Sequence, residues 1–133
     1  MIALMLNPVM FNVGVFASLA AAFGDTLSGE IGSMSKENPV MITTLKPAIA
    51  GEDGAVTVLG LLGAVLGGVV YGLLAYALTQ DMQWFFVMVL AGLIGSAFDS
   101  VLGATLQRGE YIDNNITNFL AALIVGLFFA HLF

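Results

Sequence analysis

The apolar stretch VTVLGLLGAVLGGVVYGLLAYAL, residues 56–78, has the length and composition of a membrane-spanning helix. It contains no charged residue, and about 20 apolar residues in helical conformation cross the hydrocarbon core of a bilayer. Gly60, Ala64, Gly68 and Gly72 recur at every fourth position. Such a seam of small residues allows close contact between helix backbones. The stretch therefore predicts a helix packed tightly into a membrane-embedded bundle.

Three more apolar stretches of similar length occupy about residues 2–23, 84–102 and 116–133. The 133 residues are 59% hydrophobic and only 9% charged, whereas about a quarter of the residues in a soluble domain are charged. A helix satisfies its own backbone hydrogen bonds in lipid, and an isolated strand does not. The sequence therefore predicts an all-α integral membrane protein, with a single transmembrane domain over residues 1–133 and four helices.

Charge and cysteine content exclude several kinds of function. The net charge is −6, with three lysine and arginine residues in the whole chain, so nucleic acid is not expected as a partner. Cysteine is absent, which rules out disulfide bonds and thiolate metal sites. The bilayer itself is the partner that the composition indicates.

The three cations predict the orientation in the membrane. Lys36 and Lys46 lie in the long loop after the first helix, and Arg108 lies in the loop after the third. These two loops share one side of a four-helix protein, and the positive-inside rule assigns that side to the cytoplasm. We therefore expect a cell-membrane protein whose polar loops face the cytoplasm.

Acidic and amide side chains gather at the same ends of the helices. Asp99 lies within the third helix, where an ionisable residue costs roughly 2.5–3.5 kcal/mol on insertion scales, so it is a functional candidate. The alternative is that its carboxylate merely reaches the nearby surface. Gly103 and Gln107 follow Asp99 at spacings of four, which places all three on one helix face. Asn118 opens the fourth helix on the same side of the membrane.

Asp25 and Glu30, in GDTLSGEIG (residues 24–32), would point about 140° apart on a continuous helix. Both can face one site only if the helix breaks between them. Glycines flank both acids, so we expect the first helix to end near residue 23 and the following loop to be partly re-entrant.

The next part of this loop, ITTLKPAIAGEDGAVT (residues 42–57), combines hydroxyls, glycines and a lysine. Phosphate-binding loops use such residues, which here are Thr44, Lys46, Gly51 and Gly54. The alternative is a solvated loop, because the spacing does not match the known GK[ST] phosphate motif. Asn115 likewise has two interpretations, a ligand for phosphate or metal, or a simple helix N-cap.

These motifs, followed by GSAFDSVLGATLQ (residues 95–107) and NNITNF (residues 114–119), resemble the transmembrane protein 19 family, also called the domain of unknown function 92 family. The resemblance runs from about residue 17 to the C-terminus. It implies a polytopic membrane protein, and the family includes phytyl-phosphate kinases, which phosphorylate an isoprenoid monophosphate with a nucleoside triphosphate. The residues that match the family pattern are Asp25, Thr26, Glu30, Gly32, Thr44, Lys46, Gly54, Asp99, Ser100, Gly103, Gln107, Asn115 and Asn118.

Two features depart from the family pattern. Gly29 stands where a serine is usual. Family members also carry further helices before the first motif, so this chain is expected to correspond to the C-terminal part of the family domain. Three alternatives follow: the chain is a fragment, it forms a homo-oligomer, or it assembles with a separately encoded N-terminal half.

The chemistry of a lipid-phosphate kinase assigns roles to these residues. Transfer between two anions needs positive charge and positioning. Asp25, Glu30, Asp99 and Asn118 offer the oxygen ligands that Mg²⁺ prefers. We predict Asp25, Glu30, Asp99 and Lys46 as catalytic residues. The residues predicted to bind the nucleoside triphosphate, CTP or ATP, are Thr44, Lys46, Gly51, Gly54, Asn115 and Gln107.

Two other functions fit a membrane protein with intramembrane acids. In an ion-coupled transporter, Asp25 and Asp99 would bind ions or protons along a path. The third alternative is a non-catalytic membrane subunit, which is favoured only if the further helices of the family prove essential. The clustering of polar groups on one side of the membrane favours the kinase, whose isoprenoid tail would lie among the apolar helices.

Overall fold

The computed structural model describes residues 8–133. It contains four long α-helices, which are α1 (Pro8–Gly32), α2 (Val58–Thr79), α3 (Met82–Leu102) and α4 (Asn114–Leu132). A π-helical turn, Gly103–Gln107, continues α3. Two short antiparallel strands, β1 (Val40–Met41) and β2 (Ala55–Val56), pair within the loop between α1 and α2.

All four helices are long and apolar enough to cross a membrane, which confirms the predicted fold class. Helix α1 lies at the centre of the bundle and packs against each of the other three. Its buried face consists largely of small residues, and Ala17, Ala20 and Ala21 are at most 1% exposed. Small side chains let helix backbones come close, which is the main source of packing energy between helices in lipid.

Helices α1, α2 and α3 cross at a cluster of glycines. A Cβ atom on Gly67 would lie 2.5 Å from the Cα of Gly24, and one on Gly24 would lie 2.8 Å from the carbonyl oxygen of Gly92. A Cβ on Gly92 would in turn lie 2.8 Å from the Cα of Gly68. Backbone touches backbone at this crossing, so no side chain fits. The small-residue seam predicted on α2 is therefore its packing face.

Helix α1 differs from its predicted boundaries. It runs unbroken to Gly32, about two and a half turns beyond the expected end near residue 23, and the expected break between Asp25 and Glu30 is absent. Gly24 is buried at the helix crossing, so the glycine provides space for a neighbouring backbone instead of a turn. The predicted helical residues 2–7 lie outside the described part of the chain.

The length of α1 explains how it can carry acids. Its 25 residues rise about 37 Å, which exceeds the ~30 Å hydrocarbon core. The last turns, with Glu30, can therefore stand in the polar interface. The other helices begin at ordinary N-caps, Thr57, Asp81 and Asp113, whose side chains accept a hydrogen bond from the first turn. Asp113, and not Asn115, caps α4.

The two polar loops lie at the same end of the bundle, as predicted. The loop 33–57 touches the end of α3, where Gln107 Nε2 donates a 2.9 Å hydrogen bond to Asp53 Oδ1. The short connection between α2 and α3 lies at the opposite end, since α2 traverses the bundle between them. The cytoplasmic assignment of the polar end stays a prediction.

This topology predicts the pattern of labelling by a membrane-impermeant thiol reagent. The chain has no cysteine of its own. Single cysteines at Asn38 and Tyr111 should label from one side of the membrane, because both positions are exposed in the two polar loops. A cysteine at Gln83, exposed in the first turn of α3 at the opposite end of the bundle, should label only from the other side. Labelling of Asn38→Cys and Tyr111→Cys from opposite sides would contradict the fold.

Candidate functional site

A polar cavity of about 500 Å³ opens at the end of the bundle that carries the two long loops. Its walls come from the last turns of α1, the loop 33–57, the start of α2, the end of α3 with its π-helical turn, and the start of α4. The predicted site residues that line it are Asp25, Glu30, Gly51, Gly54, Asp99, Gln107 and Asn118.

Two carboxylates from neighbouring helices meet in this cavity. Asp25 on α1 and Asp99 on α3 are half-buried and close enough to interact electrostatically. The side chain of Ser96, which is 2% exposed, lies near the Asp25 carboxylate and can hydrogen-bond with it. Asp99 Oδ1 is buried and has no hydrogen-bond partner among residues 8–133. A buried acceptor without a partner is unfavourable, so this oxygen is suited to a bound cation or donor.

Other carboxylates stand around the rim, and most have structural partners. Glu37 Oε1 accepts a 3.3 Å hydrogen bond from the backbone N–H of Leu59 in the first turn of α2. Glu52 forms a 2.9 Å ion pair with Arg108, and Asp53 accepts from Gln107. Glu30 is exposed at the rim. These partners leave the Asp25–Asp99 pair as the acidic centre of the cavity.

Thr44, Lys46 and Asn115 are exposed and do not line the cavity. The Thr44 hydroxyl accepts a 3.4 Å hydrogen bond from the backbone N–H of Lys46. Asn114 lines the cavity where Asn115 was expected. The roles predicted for these three residues remain predictions. None of the three cationic side chains of the described chain lines the cavity, so its ionisable lining is acidic.

Some of the polar groups in and beside the cavity could be anticipated from the sequence, and others could not. Ser96 lies three residues before Asp99, so the two share a helix face, and the serine could have been assigned to the site on that ground. Glu37 gave no such signal, because its partner Leu59 is 22 residues away and the two meet only through the fold of the loop.

A family model described as an integral membrane protein, DUF92, matches residues 2–126. The chain belongs to the DUF92 family. The resemblance found in the sequence motifs is thereby confirmed. No solved structure matches the chain.

Several relatives share this DUF92 region. The uncharacterized membrane protein MJ0933 of Methanocaldococcus jannaschii is 36% identical over 86% of this chain and 48% of its own length. Protein PGR of Arabidopsis thaliana is 39% identical over 85% of this chain and 51% of its own length. The chloroplastic protein VTE6 of the same plant is 28% identical over 82% of this chain and 34% of its own length. The chain therefore spans about half the length, or less, of the curated relatives it matches.

The donor set of this DUF92 cavity fits Mg²⁺ shared with phosphate. Within residues 8–133 no three acidic or histidine side chains converge closely enough to enclose a metal, and Glu30 stands apart from the Asp25–Asp99 pair. Mg²⁺ is usually held by one or two carboxylates, with water and substrate phosphates completing its shell. The unpartnered Asp99 Oδ1, with the amide of Asn118 lining the same cavity, matches this pattern.

Proposed function

We propose that the chain transfers a phosphoryl group from a nucleoside triphosphate, CTP or ATP, to an isoprenoid monophosphate in the membrane. The observation that carries this proposal is the pair Asp25 and Asp99, with an unpartnered carboxylate oxygen, at the polar end of a membrane-spanning bundle. Membership of the DUF92 family supports it, since the sequence motifs resemble those of its isoprenoid-phosphate kinases.

The charge of the cavity explains why the proposal includes a metal ion. Phosphate groups would meet only acidic ionisable side chains there, and like charges in a partly buried site repel strongly. Bound Mg²⁺ would supply the positive charge that offsets the phosphates in the ground and transition states. Asp25 and Asp99 would hold it, and Ser96 would orient the Asp25 carboxylate through its hydrogen bond.

The outer face of α1 suggests how a lipid phosphate would enter. Thr26 and Gly29 line the cavity and are also exposed on the helix surface. We propose that the cavity opens towards the bilayer at this point, so that a phosphate headgroup would approach sideways while its tail stays in the bilayer. Leu19 and Val15, exposed further along the same helix, offer apolar contact for that tail. An acceptor phosphate is already nucleophilic, so no general base is required.

The transporter alternative is less well supported by the packing. A second cavity of about 450 Å³, mostly apolar, lies at the opposite end and is bordered by Val13 and Trp84. Between the two cavities the bundle is filled by Ala17, Ala20, Ala21 and Ala91, each at most 1% exposed. The described helices thus form no polar path from one side of the membrane to the other.

The direct test is turnover by the purified protein in lipid nanodiscs. Incubation with a polyprenyl phosphate, Mg²⁺ and CTP or ATP should yield the polyprenyl diphosphate, and chelation of Mg²⁺ should stop the reaction. The assay is run with and without the N-terminal half of a full-length relative, since the chain spans about half of such proteins. Absence of product with every common nucleotide in both settings would refute the proposal.

Metal binding can be measured separately from turnover, with Mn²⁺ as a paramagnetic substitute for Mg²⁺. Loss of an outer-shell partner alone typically costs ~10–100-fold in metal affinity, so Asp25→Asn, which removes a direct ligand, should cost about 100-fold or more. Electron paramagnetic resonance titration gives the affinity. Asp81→Asn, at an N-cap on the opposite side of the bundle, is the matched control. Equal affinity for Mn²⁺ in Asp25→Asn and wild type would exclude Asp25 as a ligand.

A further inference from the structure

The loop residues 50–54, here called the glycine turn, form one wall of the cavity. Gly51 and Gly54 have positive φ angles of 84° and 83°, a conformation that other residues adopt rarely. The glycine turn rests directly on the π-helical turn that follows α3. A Cβ atom on Gly54 would lie 2.7 Å from the Cα of Ala104. A glycine is therefore needed at position 54 both for the positive φ angle and for the close contact with Ala104.

Two side chains of the π-helical turn region hold the glycine turn in place. Gln107 Nε2 donates a 2.9 Å hydrogen bond to Asp53 Oδ1, and both groups are partly buried. Arg108 Nη2 lies 2.9 Å from Glu52 Oε1. Glu52 is itself tied into the loop, because its Oε2 accepts from the backbone N–H of Ile49 at 3.1 Å. Two consecutive residues at the end of the π-helical turn, Gln107 and Arg108, thus bind two consecutive residues of the glycine turn.

The π-helical geometry contributes to this arrangement. The backbone N–H of Arg108 bonds to the carbonyl of Gly103, five residues earlier, which is wider than the four-residue step of an α-helix. Such widened turns are rare and occur frequently at functional sites. Here the widened turn lies directly against the glycine turn, so that Gln107 and Arg108 both reach the loop.

We propose that Gln107 and Arg108 are positioning residues that hold the glycine turn as a wall of the cavity, Gln107 through Asp53 and Arg108 through Glu52. The consequence for nucleotide binding rests on the proposed kinase function and on the sequence-based prediction that Gly51 and Gly54 bind the nucleotide. Gln107 lines the cavity, but its amide nitrogen is engaged by Asp53. Arg108 does not line the cavity, and its side chain is 54% exposed.

The two contacts are expected to differ in strength. An ion pair as exposed as Arg108–Glu52 contributes little by itself. The Gln107–Asp53 hydrogen bond joins an amide to a carboxylate in a partly buried setting, where a charged acceptor strengthens the bond. The decisive test therefore concerns Gln107, and Arg108→Gln should give a smaller effect in the same direction.

The test is a swap of the two hydrogen-bonding groups. Gln107→Glu places a carboxylate against Asp53 and should release the glycine turn. Adding Asp53→Asn restores a donor and an acceptor with their positions exchanged, and should restore docking. Lys36→Gln is the control. Lys36 lies in the same loop and makes no ion pair among residues 8–133, so its replacement should leave exchange unchanged. Hydrogen–deuterium exchange reports on the loop, where the N–H of Ile42 bonds to the carbonyl of Gly54.

Gln107→Glu should speed exchange in residues 40–57 by about tenfold, because local opening of the loop becomes more favourable, and the double variant should return close to wild type. In the turnover assay, Gln107→Glu should raise KM for the nucleotide about tenfold and change kcat much less, because it weakens nucleotide binding and leaves the groups that act in the chemical step in place. Unchanged exchange in Gln107→Glu, or no recovery in the double variant, would overturn the inference. If exchange responds and recovers while no variant turns over substrate, the docking role stands and the kinase proposal fails.

Discussion

Asp99→Asn is expected to abolish phosphoryl transfer while the helix bundle stays assembled. Asparagine keeps the volume of the side chain and removes its negative charge, which is one of the two charges available to hold Mg²⁺ at the centre of the cavity. We expect kcat/KM to fall at least about 10³-fold, equivalent to ~4 kcal/mol of transition-state stabilisation. A larger fall in kcat than in nucleotide affinity would indicate that the metal acts mainly on the transition state.

The measurement is Mg²⁺-dependent conversion of a polyprenyl phosphate, with Asp81→Asn as the control. Asp81 caps α3 at the far end of the bundle by accepting a 2.9 Å hydrogen bond from the N–H of Gln83, and asparagine caps a helix equally well. The same chemical change there should leave turnover intact. Full activity in Asp99→Asn would remove this carboxylate from the mechanism. Ion flux in vesicles that depends on Asp99, without any turnover, would support the transporter instead.

Gly67→Ala is expected to destabilise the bundle by about 1–3 kcal/mol or more, the usual range for an overpacked core. The added methyl group would lie 2.5 Å from the Cα and 2.8 Å from the N of Gly24. These are backbone atoms of α1, so no side chain can rotate away and the helices must separate. Replacing a glycine by alanine within a helix would by itself stabilise the helix by ~1 kcal/mol. The prediction therefore requires that the packing cost exceed this gain in helix propensity.

Thermal unfolding in detergent, followed by circular dichroism, measures this effect. Gly29→Ala is the matched control, because Gly29 also lies within a helix but nothing stands within 4 Å of the Cβ it would gain. That variant should be as stable as wild type or slightly more stable. Equal melting temperatures for Gly67→Ala and Gly29→Ala would show that the helices do not cross where the structure places them.

The glycines of α1 show where prediction from the sequence stopped. A glycine permits a turn and also permits close packing, and the two uses look identical in the sequence. The expected break in GDTLSGEIG is absent because Gly24 is surrounded by the backbones of α2 and α3. Those contacts are supplied by residues more than 40 positions away, so nothing local could choose between the two uses.

Lys46 shows the same limit for the site. A lysine among threonines and glycines predicted a phosphate ligand, yet Lys46 is exposed and outside the cavity. Leu45, beside it, has a positive φ of 56°, and the backbone N–H groups of both Leu45 and Thr44 bond to the carbonyl of Met41. The direction of a loop side chain follows from these turns and not from the residue type.

The sequence by itself determined the membrane setting, the four helices and the common side of the two polar loops, and it singled out Asp25 and Asp99 as candidate site residues. Each follows from features that can be read along the chain: the length of an apolar stretch, the number of helices that separate two loops, and the free-energy cost of a charge in lipid. Only the tertiary structure decided that Asp25 meets Ser96 and Asp99, that α1 runs to Gly32, and that Gln107 and Arg108 grip the glycine turn. These contacts depend on the rotation and crossing of helices, which backbone-to-backbone packing of distant glycines sets.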